Sequence, residues 1–113
     1  MSVQRMGMVI GVRPEKLALY RELHDNPWPE IDASMRTAHI QNFTIFLREP
    51  ENLLFGYWEY SGTDYTADMK VLDGLAVQKR WKALTDPCQA RLATAKEGEW
   101  WCFMPEIYHF VGK

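Results

Sequence analysis

The 113-residue chain has no apolar run approaching the roughly 18 residues of a membrane span, and no basic stretch leads into an apolar one at its start. These two absences predict a soluble, cytoplasmic protein without a membrane partner. Strong charge of either sign is also missing, since the net charge is −2. The longest basic cluster is Lys79-Arg80 with Lys82 nearby, which is typical of a solvated helix face. We therefore expect no nucleic-acid partner.

Cysteines and cofactor motifs are equally scarce. The two cysteines, Cys88 and Cys102, form no CxxC pair, and without a secretion signal we expect both to be reduced thiols. The sequence has no HExxH and no close His and carboxylate cluster, so no metal is predicted. It also lacks GxGxxG, P-loop and GxSxG motifs, which argues against nucleotide cofactors and acyl transfer. We accordingly predict no cofactor.

Aromatic residues, by contrast, are abundant, with five each of Trp, Tyr and Phe. In so short a chain they require a dense core, a lined pocket or an interface that buries some of them. The length fits one domain spanning residues 1–113. Hydrophobic and charged fractions of 47% and 25% are ordinary for a globular domain.

Apolar periodicity and turn residues divide the chain into alternating elements. Pro14 and Pro29 suit the first positions of two helices, and Thr63 or Asp64 can cap a third. Pro105 within the last strand predicts an edge position, a bulge or a break. The predicted strands are 5–12, 42–48, 53–60 and 100–111, the predicted helices are 14–24, 29–38, 64–72 and 75–86, and 88–95 is a possible short helix.

This order is β-α-β-β-α-β with each helix split, the ferredoxin-like plan. We therefore predict an α+β fold in which an antiparallel sheet carries its helices on one face. The strand at 53–60 has apolar residues on both faces, and neither face can be left in water. We infer a homodimer in which two sheets pack face to face.

One histidine has a setting that suggests chemistry. His24 follows Tyr20 by four residues, so the two side chains share a helix face, and the kinked Pro27-Trp28-Pro29 segment comes directly after them. His24 as a proton carrier, Tyr20 as a hydroxyl donor and Trp28 as an aromatic wall can thus meet at the rim of one pocket. The alternative is that the two side chains only pack on the core and satisfy each other. Proton transfer on a neutral, partly apolar molecule suits this residue set, and sugars are one such class.

The order and spacing of several motifs resemble the L-rhamnose mutarotase family along nearly the whole chain. Related proteins resemble L-fucose mutarotases. The matching pieces are Tyr20 with His24, Trp28-Pro29-Glu30, Asn42, Asn52-Leu53-Leu54-Phe55, Glu59, Trp81-Lys82, Thr85-Asp86 and Glu106-Ile107-Tyr108.

The resemblance implies a dimeric α+β barrel that interconverts the α and β anomers of a 6-deoxy-L-hexose, L-rhamnose first and L-fucose next. It implies that His24 is the proton donor and that Tyr20 contacts the sugar. Two positions depart from the pattern. Phe43 stands where the family usually has a second sugar-binding Tyr, and Arg80 precedes Trp81 where a Trp-Trp pair is common.

From these residues we predict a site with His24 and Tyr20 as the catalytic pair. An imidazole has a pKa of about 6.5 and can give and take protons near neutral pH. The predicted substrate-binding residues are Tyr20, Trp28, Phe43, Arg80, Trp81 and Glu106, with Glu30 and Glu59 as further candidates for hydroxyl acceptor or second proton carrier. Two alternatives remain open, a cofactor-free oxygenase on the same fold and a non-catalytic dimer that binds a small ligand.

Overall fold

The computed structural model describes residues 3–112, which alternate between helices and strands in the predicted order. Short 3-10 turns precede the first helix and follow the last one, at Pro14–Lys16 and Asp86–Cys88. The strands are β1 (Gln4–Val12), β2 (Ile40–Arg48), β3 (Leu53–Tyr60), β4 (Gln89–Ala90) and β5 (Cys102–Met104), and the helices are α1 (Leu17–Asp25), α2 (Pro29–Thr37), α3 (Tyr65–Gly74) and α4 (Ala76–Thr85).

The strands form one antiparallel sheet in the order β2-β3-β1-β4, and β5 pairs with β1 on the same side as β4. Along the central pair, Ile10 lies opposite Leu54, and Leu47 of β2 lies opposite Leu54 from the other side. The α+β class and the ferredoxin-like antiparallel plan predicted from the sequence are therefore confirmed.

Helix boundaries follow the local signals in the sequence. Pro29 begins α2 because a first-turn residue needs no N–H partner. The side chain of Asp64 caps α3 by accepting a hydrogen bond from the backbone N–H of Ala67 at 3.1 Å. None of the helices found between residues 3 and 112 is long and apolar enough to cross a membrane.

One face of the sheet packs on the helices in two apolar clusters. The first joins Ile10, Val12 and Leu54 to Tyr20 of α1 and to Cys88. The second joins strands β2 and β3 to helix α3 and the end of α2, through Ala38, Ile40, Tyr60 and Leu72. Residues of β1 alternate, so the even-numbered side chains face these helices.

Within residues 3–112 no helix packs on the opposite face of the sheet, and we call it the helix-free face. It contains Val9 opposite Phe55 and Arg5 opposite Glu59. Phe46 of β2 adds an apolar side chain that is 63% exposed. The mixture of apolar and charged groups on this face agrees with the two-sided pattern read from residues 53–60.

Two predicted elements near the C-terminus were wrong in extent or type. Residues 88–95 form no helix, because the backbone of Gln89–Ala90 pairs with β1 instead. The last strand covers only Cys102–Met104 rather than 100–111. Pro105 lacks an N–H and ends the ladder, so its predicted break is confirmed. Residues 1, 2 and 113 lie outside the described part of the predicted domain 1–113.

Candidate active site

A large cavity of about 1320 Å³ lies between the helix-bearing face of the sheet and helices α1, α2, α3 and α4. Pockets that hold drug-sized ligands are about 300–1,000 Å³, so this cavity has ample room for a monosaccharide. Its lining mixes aromatic, aliphatic and titratable side chains. Of the residues singled out from the sequence, Tyr20, His24, Phe43 and Trp81 line it.

His24 lies in the last turn of α1 and is half-buried at the cavity wall. Its Nδ1 is 2.8 Å from the backbone carbonyl oxygen of Tyr20. A carbonyl oxygen can only accept, so Nδ1 carries a hydrogen and donates it in either charge state of the ring. The remaining nitrogen, Nε2, is then the atom of this imidazole that gains or loses a proton.

Tyr20 is the buried partner of this pair, with 4% of its surface exposed. Its ring centroid lies 4.4 Å from that of His24, as the four-residue spacing predicts. Its phenolic oxygen accepts a hydrogen bond from Nε2 of Gln89 at 3.2 Å. Burial raises the pKa of Tyr20 to about 12, against the weaker opposing effect of that hydrogen bond. The phenol therefore stays protonated near neutral pH and can act as a hydrogen-bond donor.

Two tryptophans extend the aromatic wall beyond the histidine. The centroid of Trp81 is 5.5 Å from that of His24 and 5.1 Å from that of Trp28, in edge-on geometry both times. The guanidinium of Arg80 lies 5.9 Å above the ring of Trp28, within cation–π range. Arg80 thus supports the outer end of the wall, and neither it nor Trp28 is among the cavity-lining residues.

Phe43 reaches the cavity from β2 because the strand contains a bulge. The register between β2 and β3 shifts between Gln41 and Thr44, and Asn42 has a positive φ of 55°. Phe43 thereby packs edge-on against Trp58 with 5.2 Å between centroids. It presents an apolar ring to the cavity at the position where the resemblance implies a tyrosine hydroxyl.

The carboxylates proposed from the sequence lie elsewhere. Glu106 is on the helix-free face, where it accepts two hydrogen bonds from Arg5, at 2.7 and 2.9 Å. Glu59 lies on the same face and accepts from the side chains of Gln41, Asn42 and Tyr57. Neither of these carboxylates is among the cavity-lining residues, nor is Glu30. Substrate contact by Glu106 therefore stays a prediction without geometric support from the cavity.

Two cavity-lining residues that the predicted site did not include, Asp86 and Gln89, lie just beyond α4. Gln89 is 4% exposed and binds Tyr20, and Asp86 lines the cavity from the 3-10 turn. Burial raises the pKa of Asp86 against a smaller lowering by Lys82, and its negative charge contributes to the raised pKa of Tyr20. Gln89 was not predicted as a site residue because residues 88–95 were interpreted as a possible short helix. The Thr85-Asp86 motif, in contrast, could have identified Asp86.

Cavity-lining groups are suited to proton transfer and hydrogen bonding. An imidazole with one free nitrogen, a protonated phenol and a carboxyl of raised pKa share the wall with indole rings. Between residues 3 and 112, no three His, Cys, Asp or Glu side chains are grouped so that they could hold a metal ion.

The family model and the curated relatives that match this chain carry the same family description. The family model described as L-rhamnose mutarotase matches residues 5–110. The chain is 28% identical over 103 residues to the L-rhamnose mutarotase of Tolumonas auensis, which covers 91% of this chain and 78% of the relative.

Solved structures agree in fold. The crystal structure of an L-rhamnose mutarotase from Formosa agariphila superposes with a TM-score of 0.75 at 19% identity, covering 95% of this chain and 98% of that one. A putative antibiotic biosynthesis monooxygenase from Bordetella bronchiseptica superposes with a TM-score of 0.65 at 13% identity, covering 97% and 100%. Because both identities are low, these likenesses establish the fold alone. The match of the family model over residues 5–110 decides the family: the chain belongs to the L-rhamnose mutarotase family and is an isomerase that acts on a carbohydrate.

Proposed function

We propose that the protein interconverts the α and β anomers of a 6-deoxy-L-hexose, L-rhamnose first and L-fucose next, with His24 as its proton carrier. The observation that carries this proposal is the 2.8 Å contact between Nδ1 of His24 and the carbonyl of Tyr20. It holds the imidazole at the cavity wall with one tautomer and leaves Nε2 to exchange a proton.

Mutarotation needs an acid at the ring oxygen and a base at the anomeric hydroxyl. Protonated Nε2 of His24 donates to the ring oxygen while the C1–O5 bond breaks and its electron pair stays on oxygen. A base takes the proton from the anomeric hydroxyl as the aldehyde forms. Rotation about C1–C2 then exposes the other carbonyl face, and the two protons return as the ring closes, so both groups end as they began.

We assign the base to Asp86. It lines the cavity with His24 and lies near enough to Tyr20 for its charge to affect that phenol. A carboxylate whose pKa is raised by burial is a stronger base than an ordinary aspartate. General acid–base catalysis is most efficient when the pKa of each group lies near the working pH. The sequence candidates Glu30, Glu59 and Glu106 lack this access to the cavity.

The remaining lining residues suit the two surfaces of a deoxy sugar. Trp81 offers a flat ring to the C–H face, and Phe43 offers apolar area to the 6-methyl group. Tyr20 donates its hydrogen to a sugar oxygen, since its phenol stays protonated. Trp28 and Arg80 hold Trp81 from outside, at 5.1 Å between the indole centroids and with the guanidinium over Trp28.

We further propose a cytoplasmic homodimer built on the helix-free face. Phe46 is 63% exposed on this face, and exposed apolar side chains can mark an interaction site. In the segment beyond β5, Ile107, Tyr108 and Phe110 are 95%, 78% and 72% exposed and are further candidates for such a contact. Both cysteines are free thiols, which suits a reducing compartment.

Saturation-transfer NMR at the anomeric protons tests the activity, with L-rhamnose and L-fucose run in parallel. We expect enzyme-dependent exchange between the α and β signals, faster for L-rhamnose. Absence of exchange with both sugars, from protein shown to be folded by circular dichroism, would contradict the proposal. Saturable binding without exchange would then favour the ligand-binding alternative, and oxygen uptake with a quinol would favour the oxygenase.

A further inference from the structure

Gln89 is a buried amide whose two ends are both engaged at the cavity wall. Its Oε1 accepts a hydrogen bond from the indole Nε1–H of Trp100 at 2.6 Å, and its Nε2 donates to the phenolic oxygen of Tyr20 at 3.2 Å. All three side chains line the cavity. They belong to three separate segments, β4, the loop before β5, and α1.

The chemistry of these partners fixes which way the amide points. An indole N–H can only donate, so the group facing Trp100 must be the amide oxygen. The NH2 group of Gln89 therefore faces Tyr20 and fills an acceptor site on its hydroxyl. A phenol has one hydrogen, and that hydrogen cannot point back at an NH2 group that is already donating. It is left to point elsewhere, toward an acceptor such as a ligand oxygen.

We infer that Gln89 is a positioning residue that commits Tyr20 to donate its hydrogen bond into the cavity and so selects a sugar oxygen as acceptor. Trp100 prevents the amide from turning over. This inference rests on the proposed function, since it assigns a direction to the Tyr20–sugar contact.

Gln89→Glu reverses the hydrogen bond while nearly keeping the shape of the side chain. The carboxylate still accepts from Trp100, but its second oxygen also accepts, so Tyr20 must turn its hydrogen toward position 89. We expect KM for L-rhamnose to rise about tenfold while kcat changes little, the size expected for one misdirected hydrogen bond. An unchanged KM in the folded variant would overturn the inference.

Acid pH supplies a signature that loss of packing does not produce. Protonating the introduced carboxyl restores an O–H that can donate to Tyr20, so KM should recover toward the wild-type value as pH falls. Wild-type protein measured at the same pH values controls for Asp86, whose charge also acts on Tyr20. Gln78→Glu puts the same carboxyl at another buried amide of the cavity lining, one that bonds Ser34 at 3.0 Å instead of Tyr20, and should show no such recovery.

A double-mutant cycle tests whether Gln89 acts through Tyr20. In a Tyr20→Phe background, Gln89→Glu should raise KM by less than twofold, because the hydroxyl that it misdirects is gone. Equal effects in both backgrounds would overturn the inference. Gln89→Met, which removes both hydrogen bonds without offering a new acceptor, should raise KM less than Gln89→Glu does.

A measurement made without sugar distinguishes failure of the Gln89 inference from failure of the proposed function. In protein labelled with carbon-13 at tyrosine Cζ, the Tyr20 resonance reports whether its oxygen donates or accepts. We expect a shift in Gln89→Glu that reverses in acid, even if wild-type protein exchanges no anomers. An unshifted resonance would overturn the Gln89 inference, whereas loss of anomer exchange in the wild type alone would overturn only the proposed function.

Discussion

Two carboxylates on the helix-free face, Glu59 and Glu106, and one at the cavity, Asp86, have pKa values shifted in opposite directions. On the helix-free face, three side-chain hydrogen bonds lower the pKa of Glu59, and the pairing with Arg5 lowers that of Glu106. At the cavity, burial instead raises the pKa of Tyr20 to about 12 and raises that of Asp86. Hydrogen bonds from several donors stabilise the charged form of a carboxylate, whereas a carboxylate whose proton affinity is raised is better suited to proton transfer.

Carboxylates that look alike in the sequence can be distinguished by their surroundings in the fold. Glu59 and Glu106 lie in motifs shared with the family and were reasonable as sugar ligands. Their hydrogen bonds to neighbouring side chains already engage both oxygens of each carboxylate on the helix-free face. Asp86 is part of a shared motif too, and its position on the cavity and its raised pKa separate it from them.

The largest expected effect is at His24. His24→Ala should reduce the rate of anomer exchange by about 10²–10⁴, the usual contribution of a positioned acid–base group. Glu59→Gln, from the other face, serves as the comparison and should leave the rate per folded molecule unchanged. Rates come from saturation-transfer NMR, with thermal melts confirming the fold. Near-normal exchange in folded His24→Ala protein would contradict the assignment of proton transfer to His24 at the cavity.

The next effect concerns the second proton carrier. Asp86→Asn keeps the size of the side chain but can no longer accept the anomeric proton, so we expect a rate loss of about 10². The pH–rate profile should also lose one titration relative to wild type. If the profile keeps its shape while only KM changes, Asp86 binds the sugar rather than moving a proton.

A smaller effect should follow from restoring a hydroxyl in the cavity. Phe43→Tyr adds one hydrogen-bond donor where the family usually has tyrosine, and one net hydrogen bond is about 1 kcal/mol. We expect KM for one of the two deoxy sugars to fall about fivefold, which changes the preference between L-rhamnose and L-fucose. Phe43→Leu is the matched control, since it keeps an apolar side chain and should not improve binding of either sugar. An equal change for both sugars would show that Phe43 does not select between them.

The smallest effect on catalysis is expected at Glu106. Glu106→Gln removes the charge that Arg5 binds, and the exchange rate per folded molecule should stay at the wild-type value. Because pairing lowers the pKa of Glu106 in the fold, its stabilising contribution is present above the ordinary value of 4.5 and is lost as pH falls below it. The wild type should therefore melt at a higher temperature than the variant at neutral pH, and this difference should vanish in acid. A large rate loss at neutral pH would return Glu106 to the active site.

Much of the fold could be predicted because its signals are local. Pro14 and Pro29 marked helix starts, and the alternation of Phe43, Ile45 and Leu47 identified the inner face of β2. The region after Asp86 was misread because Gln89–Ala90 pairs with Gly11 and Val12, more than 75 residues away in the chain. A strand of only two residues has no local sequence pattern that predicts such a distant partner.

In the candidate site, too, local features could be predicted from the sequence and long-range contacts could not. The sequence by itself determined the Tyr20 and His24 pair, because a helix brings residues four apart onto one face whatever surrounds it. Only the tertiary structure decided that Trp81, Asp86 and Gln89 share the cavity with that pair and that Glu106 does not. The physical reason is that adjacency across a sheet or between helices depends on register and packing over long chain separations. A carboxylate's surroundings, and hence its pKa, depend on those same contacts and not on its neighbours in sequence.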